Sequence, residues 1–320
     1  MKKVVKTEVV NLKPRWSNLL QWCWIHLYDK NESSILHLQY PSLGFGYSLL
    51  PHLAFFLGSI HSKTVLTVHE FKRAHPLRKW AIIPLMECAD RIIFTNEGDA
   101  TSASEYFPGL RSKSEIIPIG SNIPVTPRER AQIRGNIKII FFGLLRPNRG
   151  LEDFLNFARK LTEFNLAIEF GIIGHVLNPY INYIEELQKT SQKIPVTWYM
   201  SKSPEQISCL LSTADVAYLP VPGGVEGRNG TVLASLMAGL LVLAPCNRDT
   251  EEGLKECIIR VDDVEEAVTR TLNLIPQILE GSINLKSNQY LASRLWPEIA
   301  QKHYFRYQMI VQSHKPTEII

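Results

Sequence analysis

The residues Gly223–Gly239 read "GGVEGRNGTVLASLMAG". One acid, Glu226, and one base, Arg228, stand among glycines just ahead of an apolar helical run. Gly227 and Gly230 allow main-chain amides to come close to a ligand. Thr231 and the helix behind it offer N–H groups and the positive end of a helix dipole. Arg228 adds charge. A carboxylate is a poor partner for phosphate and a good acceptor for a hydroxyl, so Glu226 is expected to face a sugar hydroxyl. A plain surface loop with a capping threonine is the alternative.

A second group lies in "FFGLLRPNRGLEDFL" (Phe141–Leu155). Gly143 is read as a tight exit from a strand. Arg146 and Arg149 follow, and Gly150 opens a helix with Glu152 and Asp153 in its first turn. Strand, glycine turn, basic side chains and helix start together make a phosphate site. The alternative is a solvated turn with two surface arginines. It is not a Walker loop, because no Gly-Lys-Ser/Thr is present. Two phosphate-competent helix starts suggest a diphosphate-bearing ligand such as a nucleotide sugar. In the first half, "TVLTVHEF" ends a strand with His69 and Glu70, a polar pair that a cleft or a capped loop would explain equally well. The next histidine is His75, which is the wrong spacing for a His-Glu-x-x-His zinc site. No Asp-x-Asp occurs, so a metal-held diphosphate is not expected. Gly174-His175, and Gly120, Ser121 and Asn122, end two further strand patterns.

These residues need strands behind them and helices after them. β-Type runs alternate with helical patterns along the whole chain, which implies parallel sheets covered by helices. The first half has candidates at Val4–Val10, Ile35–Gln39, Thr64–Val68, Arg91–Thr95 and Glu115–Pro118. The second has Ile137–Phe142, Ala167–Ile173, Val196–Tyr199, Val216–Leu219, Leu240–Ala244 and Ile258–Val261, with helices such as Leu151–Phe164 and Pro204–Ser212. A long aromatic helix, roughly Ser287–Gln312, closes the pattern and is long enough to reach back to the first half. The expected division is a domain over 1–122, a linker over 123–136, a domain over 137–286, and the closing helix and tail over 287–320.

Composition narrows the function classes. With 320 residues, 21% charged and net charge +4, the chain is globular, two-domain in size and no nucleic-acid binder. Residues 1–132 hold 16 Lys and Arg against 11 Asp and Glu; residues 133–320 hold 19 against 20. A basic first half suits an anionic membrane surface or substrate, or is a chance imbalance. Five scattered cysteines point to a reducing compartment and to neither a zinc site nor a disulfide framework. With no signal peptide and no spanning run, a cytoplasmic protein is expected, peripheral on the membrane's inner face if attached to it at all.

The motifs "ILHLQYP", "VLTVHEF", "ADRIIFTNE", "IIPIGSNIP", "FFGLLRPNRGLEDFL", "FGIIGH", "PEQISCLLSTADVAYLPVPGGVEGRNGT" and "RLWPEIAQKHYFRY" stand in an order that resembles the retaining glycosyltransferases of family 4. The resemblance implies the GT-B fold: two Rossmann-like parallel-sheet domains facing across a cleft, with a C-terminal helix crossing back. It implies donor phosphates at the loop after the second domain's first strand, with Arg149 in the usual basic position. Arg146 is a looser match, since the commoner arginine would stand at Leu144. Gly143, Gly174 and His175 belong to the same donor side. Glu226 matches the first acid of the family's Glu-x(seven)-Glu pair, which holds the sugar, while Ala234 stands where the ribose-binding acid would be. Arg228-Asn229-Gly230-Thr231 is similar to a subgroup that also lacks the second acid. His69 matches a histidine beside the transferred sugar.

The reading is therefore a metal-independent, retaining, hexosyl-type transferase with no cofactor. It would move sugar from a nucleotide-diphosphate donor to a glycan, lipid-linked or small-molecule acceptor, as in bacterial polysaccharide biosynthesis. The family's Gly-Gly loop is absent from "MKKVVKTEVVNLKPRW", which implies a late start or a truncated first domain. Two alternatives stay open: a non-catalytic or split-enzyme subunit with a partner, and a nucleotide-sugar epimerase using carboxylates such as Glu70 or Glu97.

Overall fold

The computed structural model describes residues 34–41, 45, 48–60, 62–126, 136–280 and 289–312. The candidate strand Val4–Val10, the middle of the expected linker (127–135) and the start of the closing helix lie outside them. The chain divides into two compact units, one of the residues up to Pro118 with those from Ile299 on, the other spanning Ile119–Glu298.

The first unit alternates β1 (Ile35–Tyr40), α1 (Leu50–Ser59), β2 (Lys63–Val68), α2 (Pro76–Cys88), β3 (Arg91–Phe94), α3 (Glu97–Tyr106) and β4 (Ser114–Ile116). The strands form a parallel sheet in the order β1-β2-β3-β4. Side chains alternate across a strand. Leu38, Tyr40, Leu66, Val68, Ile92 and Phe94 take one face and pack with Phe55, Leu85 and Met86. Val65 and Ile93 take the other, with Ile117.

The second unit contains β5 (Ile137–Leu145), α4 (Leu151–Thr162), β6 (Ile168–Val176), α5 (Ile181–Thr190), β7 (Val196–Met200), α6 (Pro204–Ser212), β8 (Val216–Tyr218), α7 (Gly230–Met237), β9 (Leu241–Ala244), α8 (Glu252–Lys255), β10 (Ile259–Arg260), α9 (Val264–Leu279) and α10 (Gln289–Ala292). Its parallel sheet has the order β10-β9-β8-β5-β6-β7. The chain winds outward from β5 in one direction and, after β7, from β8 in the other. β5 and β8 are neighbours at that reversal, and in open parallel sheets ligands bind beyond the carboxyl ends of such a strand pair. β5 feeds both cores: Ile139 and Phe141 face α4 and α9, whereas Ile140 and Phe142 face α6 and α7. α4 buries Leu151, Phe154, Leu155, Ala158 and Leu161, the spacing of one helix face.

Two readings from sequence are corrected. Gly143 is not an exit turn: β5 continues through it to Leu145, and Gly143 pairs with Gly174 in β6. A Cβ at Gly174 would lie 2.2 Å from Gly143 O and 2.6 Å from Leu145 Cγ, so Gly174 is needed for strand packing rather than for a loop. The closing segment is two helices rather than one. After α10, turns through Ser293–Leu295 lead to α11 (Trp296–Gln312). Trp296 Nε1 donates to Ser121 O at 2.7 Å inside the second unit. Further along α11, Ile299 and Ile310 pack with Val65, Ile93 and Ile117 of the first, and Arg306 pairs with Glu115. No helix among the described residues is long and apolar enough to cross a membrane.

Candidate functional site

Two loops meet at the carboxyl ends of β5 and β8. The first runs from Arg146 to Gly150, with Asn148 (φ 58) and Gly150 (φ 81) in left-handed conformations on either side of Arg149. Gly150 is required twice over. Its φ disfavours a side chain, and a Cβ there would lie 2.0 Å from Pro220 O, in the loop after β8. That close approach sets the start of α4 beside the second loop. Arg149 is exposed and Arg146 half-buried. The Nε of Arg146 is buried with no hydrogen-bond partner among the described residues.

The second loop is tied down along its length. Gly223 (φ 81) and Gly224 (φ 87) make the turn, and Asn247 Nδ2 donates to Gly223 O. Val225 is fully buried; its N–H donates to Pro245 O at 2.9 Å, and its carbonyl accepts from Thr250 Oγ1 at 2.6 Å. Asn229 Oδ1 accepts from the Glu226 N–H at 2.6 Å, and the Asn229 N–H returns to Glu226 O at 2.9 Å. Arg294, buried behind the loop, donates from Nη1 to Gly227 O at 2.9 Å. Its other Nη pairs with Glu251, to which the Tyr290 hydroxyl also donates at 2.7 Å. Gly227 therefore serves this buried cluster: a Cβ there would lie 2.5 Å from the Glu251 carboxylate. Gly230 has open space around its Cβ position and is the glycine of the pair that a ligand can approach.

Glu226 and Arg228, read as facing sugar and phosphate separately, form an ion pair at 2.9 Å with side chains only 13% and 17% exposed. Thr231 lies in the first turn of α7 and does not cap it; neither α4 nor α7 has a side-chain cap. Ser203 and Asp263 cap α6 and α9, whereas α5 and α8 also lack side-chain caps, so what sets α4 and α7 apart is their place at the strand reversal. The helix starts at the strand reversal thus keep main-chain N–H groups for something else. Ala234 lies in the buried apolar cluster of α7 at 3% exposure, so a carboxylate there would be driven into the core rather than toward a ribose. His175 is exposed on β6.

Two cavities flank the loops. One of about 460 Å³ is walled by Asp153, Asp262, Asp263 and Glu265, an acidic lining that repels phosphate. The Asp153 carboxyl there is held above the usual range by burial, then by Glu152. The other, of about 410 Å³, has Arg248, Lys255 and Arg260 around Cys246. Lys255 and Arg260 are paired with Glu252 and Asp262. Among the described residues no group of three or more His, Cys, Asp or Glu is placed to hold a metal ion.

His69 belongs to the first unit, just past β2, with Nε2 2.8 Å from Gln39 Oε1. Burial lowers its pKa against the opposing charges of Glu70 and Asp99. Asp99, buried at 2%, holds the loop after His69 by accepting from the N–H groups of Phe71 (2.8 Å) and Lys72 (2.7 Å). Sequence reasoning missed Asp99, Gln39 and Arg294. Asp99 had a local signal, three residues after the helix-capping Asn96, and Gln39 a weaker one, alternating with His37 in an otherwise apolar strand; Arg294 had none.

No family model matches the sequence, and no curated protein sequence matches it. Solved structures do. A glycosyltransferase from Rickettsia africae ESF-5 aligns with a TM-score of 0.66 at 13% identity, covering 96% of this chain and 85% of that one. Sucrose-phosphate synthase from Thermosynechococcus elongatus aligns with a TM-score of 0.66 at 14% identity, covering 93% and 79%. Anabaena HepE in complex with UDP and glucose aligns with a TM-score of 0.55 at 13% identity, covering 93% and 79%. The fold is thus mixed α/β with two parallel sheets, of the GT-B glycosyltransferase type.

Proposed function

We propose that the protein is a glycosyltransferase whose donor is a nucleotide-diphosphate sugar, UDP-linked in the first instance because HepE is similar in fold and its structure holds UDP and glucose. The observation that carries this is the pair of helix starts without side-chain caps, α4 and α7, that follow the two strands of the reversal, with the start of α4 held against the loop after β8 by the close approach of Gly150 to Pro220. Main-chain N–H groups and helix dipoles there suit a diphosphate. Arg149 and the buried Nε of Arg146 add the cationic partners that developing charge on a departing diphosphate needs.

In this reading Glu226 binds a hydroxyl of the transferred sugar, and Arg228 holds the Glu226 carboxylate in place through their ion pair; a sugar contact for His69 is what the family resemblance implies. The step is retaining and needs no divalent metal, as the family resemblance implies and as the lack of Asp-x-Asp suggests. The acceptor is a glycan, lipid-linked or small-molecule hydroxyl.

A ligand that binds the folded state raises its apparent stability. The test is a thermal-shift panel of nucleoside diphosphates and their sugars, with and without chelator. A shift with UDP or a UDP-sugar that survives chelator is expected. No shift with any nucleoside diphosphate would sink the reading.

A further inference from the structure

β1 and β2 end in polar side chains on one face. His37 and Gln39 are two residues apart on β1 and so project together. They pair opposite Val65 and Thr67 of β2, and His69 continues that alternation. α11 covers this face, bringing Tyr307 and His303 with ring centroids 5.7 and 5.5 Å from that of His37. The polar atoms are joined in series. His69 Nε2 lies 2.8 Å from Gln39 Oε1, and Gln39 Nε2 lies 3.2 Å from His37 Nε2. His37 Nε2 also meets Thr67 Oγ1 at 2.7 Å, and His37 Nδ1 meets the Tyr307 hydroxyl at 2.5 Å.

An amide orders the protons along this series. Its oxygen only accepts and its nitrogen only donates. His69 therefore carries hydrogen on Nε2, and His37 presents a lone pair on Nε2. Burial first, then His303 and His69, holds the His37 pKa at about 3. The ring is neutral, with its one proton on Nδ1, donated to the Tyr307 oxygen. The Thr67 hydroxyl donates to His37 Nε2 beside the Gln39 amide. In a neutral His69 the remaining lone pair is on Nδ1, which has no protein partner among the described residues.

We propose that Gln39 is a positioning residue. It holds His69 in the Nε2–H tautomer, and His37 with Tyr307 fixes the amide orientation that makes this hold. Neither histidine chooses its tautomer alone: the hydrogen bond at one nitrogen decides what the other offers. A residue of the closing helix, 270 positions from His37 in the chain, thereby sets what His69 presents. That the group donating to Nδ1 is a hydroxyl of the donor sugar rests on the function proposed above; the tautomers do not.

The experiment uses the full-length, ligand-free protein labelled with ¹⁵N-histidine. Two-bond ¹H–¹⁵N spectra report which ring nitrogen is protonated, and His37→Gln and His69→Gln identify the signals. Expected are Nδ1–H for His37 and Nε2–H for His69. Gln39→Leu should move the His69 tautomer ratio roughly three- to tenfold toward Nδ1–H, the range one neutral hydrogen bond supports. Gln39→Glu keeps an acceptor for Nε2–H and should leave His69 as in wild type. Tyr307→Phe removes the acceptor of His37 and should shift His69 in the same sense as Gln39→Leu. Gln39 is exposed, so its variants decide the matter even if Tyr307→Phe does not fold. His37 found as Nε2–H, a His69 ratio indifferent to Gln39→Leu, or Leu and Glu acting alike would each overturn the proposal. The expected tautomers in a protein that binds no UDP would uphold it and remove the proposed function alone.

Discussion

Glu226 and Arg228 share a small, mostly buried space, and each limits what the other can do. Replacing Glu226 by Gln keeps the shape and removes the charge that strengthens a hydroxyl hydrogen bond. Turnover with the best donor should fall at least about tenfold, the lower end for a charged hydrogen bond of ~1.5–3 kcal/mol. Affinity for bare UDP should stay within about threefold, because in the proposed reading the phosphates meet the amides of Gly230 and Thr231 instead. Calorimetric titration with UDP, set beside a turnover assay, separates the two effects. Equal weakening of UDP and of the UDP-sugar would remove Glu226 from the sugar. Arg149→Ala makes the complementary case. It stands between two left-handed residues at the start of α4, and its loss should weaken UDP binding by roughly 1.5–3 kcal/mol. Unchanged affinity would take Arg149 out of the phosphate site.

At the scale of elements, the site depends on how closely the loops after β5 and β8 approach. Gly150→Ala adds a methyl group 2.0 Å from a main-chain oxygen at a φ of 81, and left-handed strain alone costs about 1–3 kcal/mol. The second unit should lose at least ~2 kcal/mol in urea unfolding, and UDP binding should go with it. Gly230→Ala adds a methyl group in open space at the start of α7. Stability should hold or rise by about 0.5–1 kcal/mol, since alanine favours helix over glycine, while UDP affinity falls because the methyl group occupies the approach to the amides. A Gly230→Ala protein with wild-type affinity would place the phosphates elsewhere. These two glycines look alike in sequence, as do Gly143, Gly174 and Gly227. The strands were legible because β-branched runs alternate with helical periods, and the Arg146–Gly150 loop because it follows such a run. What a glycine is for depends on the atom opposite it, and that atom comes from a distant segment: Pro220 for Gly150, Gly143 O for Gly174, Glu251 for Gly227. Arg294 was illegible for the same reason, sitting 67 positions from the carbonyl it holds. His37 and Gln39 did leave a trace, as polar residues at alternate positions of an otherwise apolar strand. Their partner Tyr307 left none.

Over the whole molecule, titration should not act evenly. His37, His52, His69 and His303 all belong to the first unit, and burial is the leading cause of a lowered pKa in each. A buried neutral histidine that gains a proton only on unfolding makes the unfolded state bind more protons, so stability rises with pH. The contribution is intact above the unfolded value near 6.5 and is lost as pH falls toward the folded one, about 3 for His37. Between pH 7.5 and pH 5.0, His37 alone should cost the first unit about 2 kcal/mol, and the other three act in the same direction. Glu115 opposes them. Burial holds its carboxyl above the usual range in spite of Arg306, so it takes up a proton more readily folded than unfolded and moderates the loss at the acid end. Hydrogen exchange measured by mass spectrometry at both pH values, corrected for intrinsic rates, resolves the units through β2 and β5. Protection of β2 should drop by the equivalent of about 2 kcal/mol or more, and that of β5 should change less. Equal changes in the two strands would mean that the histidines on the first sheet are not held neutral, and the order of protons inferred for His37 would fall with them.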